Sequence, residues 1–266
     1  RDQGVTKMPF AEVNGARLLY RFDGPEDAPV LMLCNSLGTD HTMWDPQVPA
    51  LARKLRVLRY DRRGHGASAV TPGPYTIEQL GRDALGLLDA LGIARVRFCG
   101  LSLGGMTGMW LGTHAAERVE KLVLCNTAAQ IGAPDPWNAR IDAVRKGGMQ
   151  AIEPGVLARW FTPKFLERPT PMLGRMREVL LGLSPEGYAA CCAAVRDMDQ
   201  RESIARITAP TLVIAGTHDA ATPPAAGQFI AATIPGARYV ELDAAHISNV
   251  EAADRFTETV LGFAGE

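Results

Sequence analysis

The chain has 266 residues, 47% of them hydrophobic and 21% charged, with a formal net charge of −1. That balance suits a folded domain of enzyme size and gives no electrostatic field for holding nucleic acid or anionic lipid. No apolar run reaches the roughly 20 residues of a membrane-spanning helix, and no basic–apolar–small leader opens the sequence. Cys34, Cys99, Cys125, Cys191 and Cys192 form neither a C-x-x-C pair nor an even set. They read as free thiols acting as small hydrophobes in a reducing compartment, which places the protein in the cytoplasm.

Residues 1–7 read as an added leader ahead of a natural start at Met8, or as a tail. "FAEV" and "RLLYRF" then make a hairpin across Asn14-Gly15, a strong two-residue turn signal. Short apolar runs alternate with helical patterns from there on. "VLMLCN" (30–35), "LRVLRYD" (55–61), "RVRFCG" (95–100), "KLVLCN" (121–126), "TLVIAG" (211–216) and "RYVELD" (238–243) are strand-like. Their near-continuous apolar character predicts strands covered on both faces, as in a mainly parallel sheet.

Helices fall between them. Thr76 and Gln79 make a capping-box pattern, and apolar spacing from Ile77 to Leu91 stops at Gly92. The last helix is predicted from about Asn249 to Phe263. Strand–helix alternation of this kind implies an α/β fold, a mostly parallel sheet flanked by helices. Residues 129–206 break the rhythm with short helical patterns and no convincing strand. The expected division is therefore a core of 8–128 and 207–266, with 129–206 inserted as a helical cap over the sheet's carboxyl edge, where open α/β sheets bind ligands.

"GLSLGG" (100–105) fences Ser102 with glycines two residues away on each side, between a strand and a helix rich in small residues. A sharp strand-to-helix turn exposes a serine oxygen this way, and glycine at 100 and 104 removes collisions that Cβ atoms would make. A serine hydroxyl needs an adjacent base, and the order Ser…Asp/Glu…His predicts an acid and then a histidine after later strands. "LVIAGTHDAATPP" supplies Asp219, and "YVELDAAHISNVE" supplies His246. Asp243 is the competing acid, although its place in the strand before the histidine suits a turn cap. Of the other histidines, His41 and His65 precede Ser102 in loops, His114 falls in the following helix, and His218 sits beside the acid facing elsewhere. The oxyanion needs two donors. These are the backbone N–H of Leu103, after the nucleophile, and that of Leu37 in "NSLGTD", where Gly38 lets the backbone approach.

With these motifs, Val13 to Phe263 resembles the α/β-hydrolases with a helical cap. "YDRRGHGAS" (60–68) is similar to a D-x-R-G-x-G-x-S loop of that family and reads as a structural turn rather than a catalytic role for His65. Asn35-Ser36 stands where most members carry His-Gly. "NSLGTDHTMWDPQ", "YDRRGHGAS", "GLSLGGM" and "AAHISNVE" together resemble the 3-oxoadipate enol-lactonases. That resemblance implies opening of a carboxylated enol-lactone in bacterial protocatechuate and catechol catabolism, without metal or organic cofactor. A cationic partner for the substrate carboxylate is then required. Trp137 and Arg140, three apart on a predicted cap helix, are the candidates, while Trp160 and Phe161 read as cap core or pocket wall. Other hydrolases of the same fold (a carboxylesterase, a C–C bond hydrolase, a perhydrolase) and a ligand-binding receptor with the same shell stay open as rivals.

Overall fold

A computed structural model describes residues 9–266. The expectation for residues 1–7 lies outside it. Its centre is an eight-stranded sheet in the order β1-β2-β4-β3-β5-β6-β7-β8. The strands are β1 (Phe10–Val13), β2 (Ala16–Asp23), β3 (Val30–Cys34), β4 (Arg56–Tyr60), β5 (Val96–Leu101), β6 (Val119–Cys125), β7 (Thr211–Gly216) and β8 (Arg238–Leu242). β1 and β2 form the antiparallel hairpin, and β2 also runs antiparallel to β4; from β4 onward all pairings are parallel. Asn14 and Gly15 both take positive φ, 47° and 74°, as the two-residue turn demands. β3, β5 and β7 are almost wholly buried, which is why their sequences run apolar rather than alternating.

The helices are α1 (Val48–Leu51), α2 (Ile77–Ala90), α3 (Leu103–His114), α4 (Pro134–Gly147), α5 (Glu153–Trp160), α6 (Pro163–Leu166), α7 (Pro171–Gly182), α8 (Pro185–Asp197), α9 (Pro224–Thr233), α10 (Ser248–Glu251) and α11 (Ala253–Ala264). Thr76 caps α2 by accepting from Gln79 N–H at 3.1 Å, and Gly92 follows its end with φ 67°. Ten residues of α3 from Leu103 to Gly112 are buried in succession, so it is a central helix and not an amphipathic surface one. α4 to α8 lie between β6 and β7, with no strand among the described residues there.

The last helix departs from expectation. It is split into α10 and α11 at Ala252, whose φ −118° and ψ 47° leave the helical region. The break lets Asn249 turn inward, where its Nδ2 donates to Met43 O at 2.8 Å and Gln47 Oε1 at 3.1 Å. A continuous helix is what the apolar spacing favours; this buried polar network overrides it. All five cysteines are buried and free.

Candidate active site

Five parallel strands deliver their following loops to one edge of the sheet. The loops carry Asn35 to Gly38 after β3, Ser102 after β5, Asn126 after β6, Asp219 after β7 and His246 after β8. Parallel pairing makes this convergence inevitable, because the carboxyl ends of neighbouring strands all point the same way.

Ser102 sits on the turn between β5 and α3 with φ 56° and ψ −114°, a strained region for a residue with a side chain. The turn is held by Ser102 N–H donating to Cys125 O at 2.9 Å and by Thr127 Oγ1 donating to Ser102 O at 2.8 Å. A Cβ on Gly100 would run into Gly104 O, and one on Gly104 would run into Cys34 O. The fenced serine is thus a packing requirement: the chain doubles back so tightly that only hydrogen fits at both flanks.

Ser102 Oγ lies 2.9 Å from His246 Nε2, and His246 Nδ1 lies 2.8 Å from Asp219 Oδ2. The three side chains expected to meet therefore do so, though 144 residues separate Ser102 from His246 in sequence. Since an ionised carboxylate only accepts, Nδ1 carries the proton toward Asp219, leaving Nε2 free to receive one from the serine. Burial pushes the Asp219 carboxyl up. The imidazole beside it and donors from Thr222 and Asn126 outweigh that, and hold it below the usual carboxylate range. Its Oδ1 accepts from Ala221 N–H and Thr222 N–H, both at 2.9 Å, and its Oδ2 from Thr222 Oγ1 at 2.8 Å. An acid tied this firmly orients the ring and stays charged.

The rival acid is elsewhere. Asp243 is almost fully exposed and pairs with His218 Nε2 at 2.8 Å, so it neither approaches His246 nor caps a turn as expected, and His218 faces away from the site with it. His41 bonds Asp61 Oδ1 at 2.9 Å, and His114 bonds Trp110 O and stacks on its ring. His65 is buried in the turn it was expected to shape. Its Nε2 accepts from Gly38 N–H at 3.0 Å, next to Leu37. Burial and then the nearby Arg62 charge push its pKa well below the ordinary imidazole value, so the ring is neutral and able to accept.

Ser102, His246 and Leu37 open on a cavity of about 280 Å³ roofed by α4 and α5. Among the described residues, Leu37 N–H and Leu103 N–H have no acceptor, which leaves two amide donors beside Ser102 for an oxyanion. Asn35 explains part of the unusual Asn-Ser pair: its Oδ1 accepts from Trp44 Nε1 and its Nδ2 donates to Tyr60 O, both at 2.8 Å, which pins the end of β3. Ser36 lines the cavity, and its buried hydroxyl has no partner among the described residues. Trp137 and Arg140 line the cavity together, the guanidinium 4.4 Å from the ring centroid, as their spacing on one helix requires. Trp160 lines it too, while Phe161 packs away on Phe165.

Sequence reasoning missed three residues. Asn126 donates to Asp219 Oδ2 and to Ala245 O, both at 3.1 Å, and accepts from Ser248 Oγ at 2.6 Å. Its signal was a polar residue ending a buried strand, the same "LCN" that ends β3. Thr222 adds its hydroxyl to the acid. Arg159, on α5, lines the cavity as a second cation; an arginine beside a tryptophan in a helix carries no mark that sets it apart.

A nucleophile-turn serine, a buried imidazole and an ionised carboxylate at the carboxyl edge of a doubly covered sheet define the serine-hydrolase arrangement of an α/β fold. The chain belongs to the alpha/beta hydrolase family, whose model matches residues 31–259. It is 44% identical over 243 residues to 3-oxoadipate enol-lactonase 2 of Acinetobacter baylyi, covering 91% of each chain. It is 41% identical over 249 residues to 3-oxoadipate enol-lactonase 1 of the same organism, covering 94% of this chain and 93% of that one. Among solved structures, the enol-lactonase from Burkholderia xenovorans LB400 superposes with a TM-score of 0.96 at 53% identity, covering 97% of this chain and 100% of that one.

Proposed function

We propose that the protein is a serine hydrolase that opens 3-oxoadipate enol-lactone to 3-oxoadipate, with Ser102 as nucleophile, His246 as general base and acid, and Asp219 as the acid that orients it. The observation that carries the reading is the unbroken relay from Ser102 Oγ through His246 to Asp219, at 2.9 and 2.8 Å, facing a cavity with cationic side chains in its roof. The likeness to enol-lactonases over nearly the whole chain supports this choice of substrate.

Ser102 Oγ attacks the lactone carbonyl carbon and its proton passes to His246 Nε2. The carbonyl oxygen becomes an oxyanion that takes hydrogen bonds from Leu37 N–H and Leu103 N–H. The ring C–O bond then breaks and its electron pair stays on the enol oxygen, which takes the His246 proton as it leaves or as an enolate immediately afterwards, so that His246 is neutral again when the enol tautomerises to the ketone. An enolate is a better leaving group than a simple alkoxide, so general-acid help is less demanding. Water next gives a proton to His246 and adds to the acyl carbon; collapse returns the proton to Ser102 and frees 3-oxoadipate. Every proton transfer is covered by the imidazole, and the chemistry calls for no metal or organic cofactor.

Trp137 and Arg140 receive the carboxylate of the lactone, and residues 129–206 act as the cap that keeps bulk water from the acyl intermediate. The partner is thus a small carboxylated lactone, with no part for nucleic acid or membrane. The reducing setting in which five free thiols persist supports a cytoplasmic place in protocatechuate and catechol breakdown. Steady-state hydrolysis of the enol-lactone beside a short p-nitrophenyl ester tests the reading, with Ser102→Ala as control. Turnover favouring the lactone and abolished by the alanine is expected; a strong ester preference overturns the substrate, and an active alanine variant overturns the mechanism.

A further inference from the structure

The cavity roof holds two cations where the substrate brings one negative charge. Arg140 on α4 and Arg159 on α5 both line it, and neither has a carboxylate partner among the described residues. Both guanidinium groups are partly exposed, and Arg140 lies near the Tyr188 hydroxyl, so each keeps its charge in the free protein and can exchange water for an anionic ligand. They differ in their setting. Arg140 is held over the Trp137 ring, 4.4 Å from its centroid. Arg159 belongs to the end of α5 that is docked on the histidine loop, where Ile247 N–H donates to Trp160 O at 3.0 Å and Thr162 N–H donates to Glu251 Oε1 at 3.2 Å. Arg159 lines the same cavity as Ser102 and His246, on a helix whose end is bonded to the histidine loop.

We propose that Arg140 and Arg159 form a two-cation site for a β-keto carboxylate in its enolate form, Arg140 taking the carboxylate and Arg159 the charge that develops on the departing enol oxygen. The proposal rests on the lactonase reading for its reaction and on the paired arginines for its ligand. In the ring-opened acyl-enzyme the enolate carbon and the carboxylate carbon flank a single methylene, so a second negative group arises beside the existing carboxylate as the ring C–O bond breaks. The electron pair of that bond is the only new charge, and no redox step is involved. Burial and then the like charge of Arg140 pull Arg159 below the usual guanidinium range. A cation destabilised by its neighbour gains most when an anion appears beside it, and this gain comes in the transition state rather than on binding.

Two measurements on the intact protein test it. In lactone kinetics, Arg140→Gln should raise KM about tenfold or more with kcat within about threefold, while Arg159→Gln should lower kcat about tenfold or more with KM little changed. Arg159→Lys should restore part of the loss, and the melting temperature of each variant checks the fold. In calorimetry without turnover, malonate, whose two carboxylates flank one methylene, should bind at least about tenfold tighter than butyrate. Each glutamine variant should bring the two to within about threefold. A kcat unaffected by Arg159→Gln, or equal binding of malonate and butyrate to the unaltered protein, overturns the two-cation site even if the lactone is a good substrate. A malonate preference that depends on both arginines in a protein inert toward the lactone would sustain the site and remove the lactonase reading instead.

Discussion

Asn126 Nδ2 lies 3.1 Å from Asp219 Oδ2, the oxygen that also faces His246 Nδ1. The same amide holds Ala245 O and Ser248 Oγ, so one side chain joins the acid to both sides of the histidine. Its own φ of 44° places it in the left-handed region that asparagine tolerates better than most residues. Asn126→Ala should lower kcat by about 10- to 100-fold, the scale of a hydrogen bond to a buried charge at roughly 1.5–3 kcal/mol. Asn126→Asp is the sharper test. A second carboxylate beside Asp219 raises the pKa of the pair, so the relay loses its charge at a higher pH than in the parent. The acid limb of kcat/KM against pH should move upward; an unmoved limb would show that Asn126 does not touch the charge on Asp219.

The two candidate acids separate cleanly by substitution. Asp219→Asn should reduce kcat by about 10²–10⁴-fold, since the amide no longer fixes the tautomer that leaves Nε2 free. Asp243→Asn should leave kcat within about twofold, because Asp243 meets only His218 at the surface. Steady-state kinetics on both variants decides between them.

His65 makes stability depend on pH. Its folded-state pKa is depressed, so below the unfolded imidazole value near 6.5 the unfolded chain binds a proton that the folded chain refuses. Stability supplied by the neutral ring is complete above that value and falls with pH, by up to about 1.4 kcal/mol per unit, until the folded pKa is reached. Urea unfolding between pH 7.5 and 5 should show this slope, and His65→Gln should flatten it. The glutamine oxygen can still accept from Gly38 N–H, so activity at pH 7.5 tests the bond apart from the titration.

Gly104→Ala puts a methyl group against Cys34 O and Gly100→Ala puts one against Gly104 O, backbone in both cases. Neither neighbour can swing aside as a flexible side chain would. Each substitution should cost more than about 3 kcal/mol or prevent folding, seen as a loss of melting temperature or of soluble protein.

Much of this was legible from the residues. The apolar runs at 30–35 and 211–216 give β3 and β7 to within a residue, because strands buried on both faces leave little freedom of composition. The run at 238–243 gives β8, but at the sheet's edge and with only Leu242 buried, against the expectation of a covered strand. The Ser102–Asp219–His246 set was readable since each member follows its own strand, and a parallel sheet brings such loops together. What escaped depends on distance through space. Ala252 ends α10 for the sake of Asn249 and Gln47, which lie about 200 residues apart in the chain. Asn126 and Arg159 matter for what they face, and neither residue type nor spacing says what that is. Asp243 competed with the favoured Asp219 in the sequence, and what could not be read there is its place in solvent, paired with His218.

Glu251 ties the roof to the base: it accepts from Ala245 N–H at 2.9 Å, just before His246, and from Thr162 at the foot of α5. One carboxylate thereby braces the chain before His246 and the end of α5 together. Elsewhere the cavity wall reaches solvent, at Gly132, Ala133 and Pro136 and again at Ala220 beside the acid. The wall that stays tied and the wall that meets water thus share one chamber, and the indole and guanidinium of Trp137 and Arg140 stand next to its exposed stretch at 132–136.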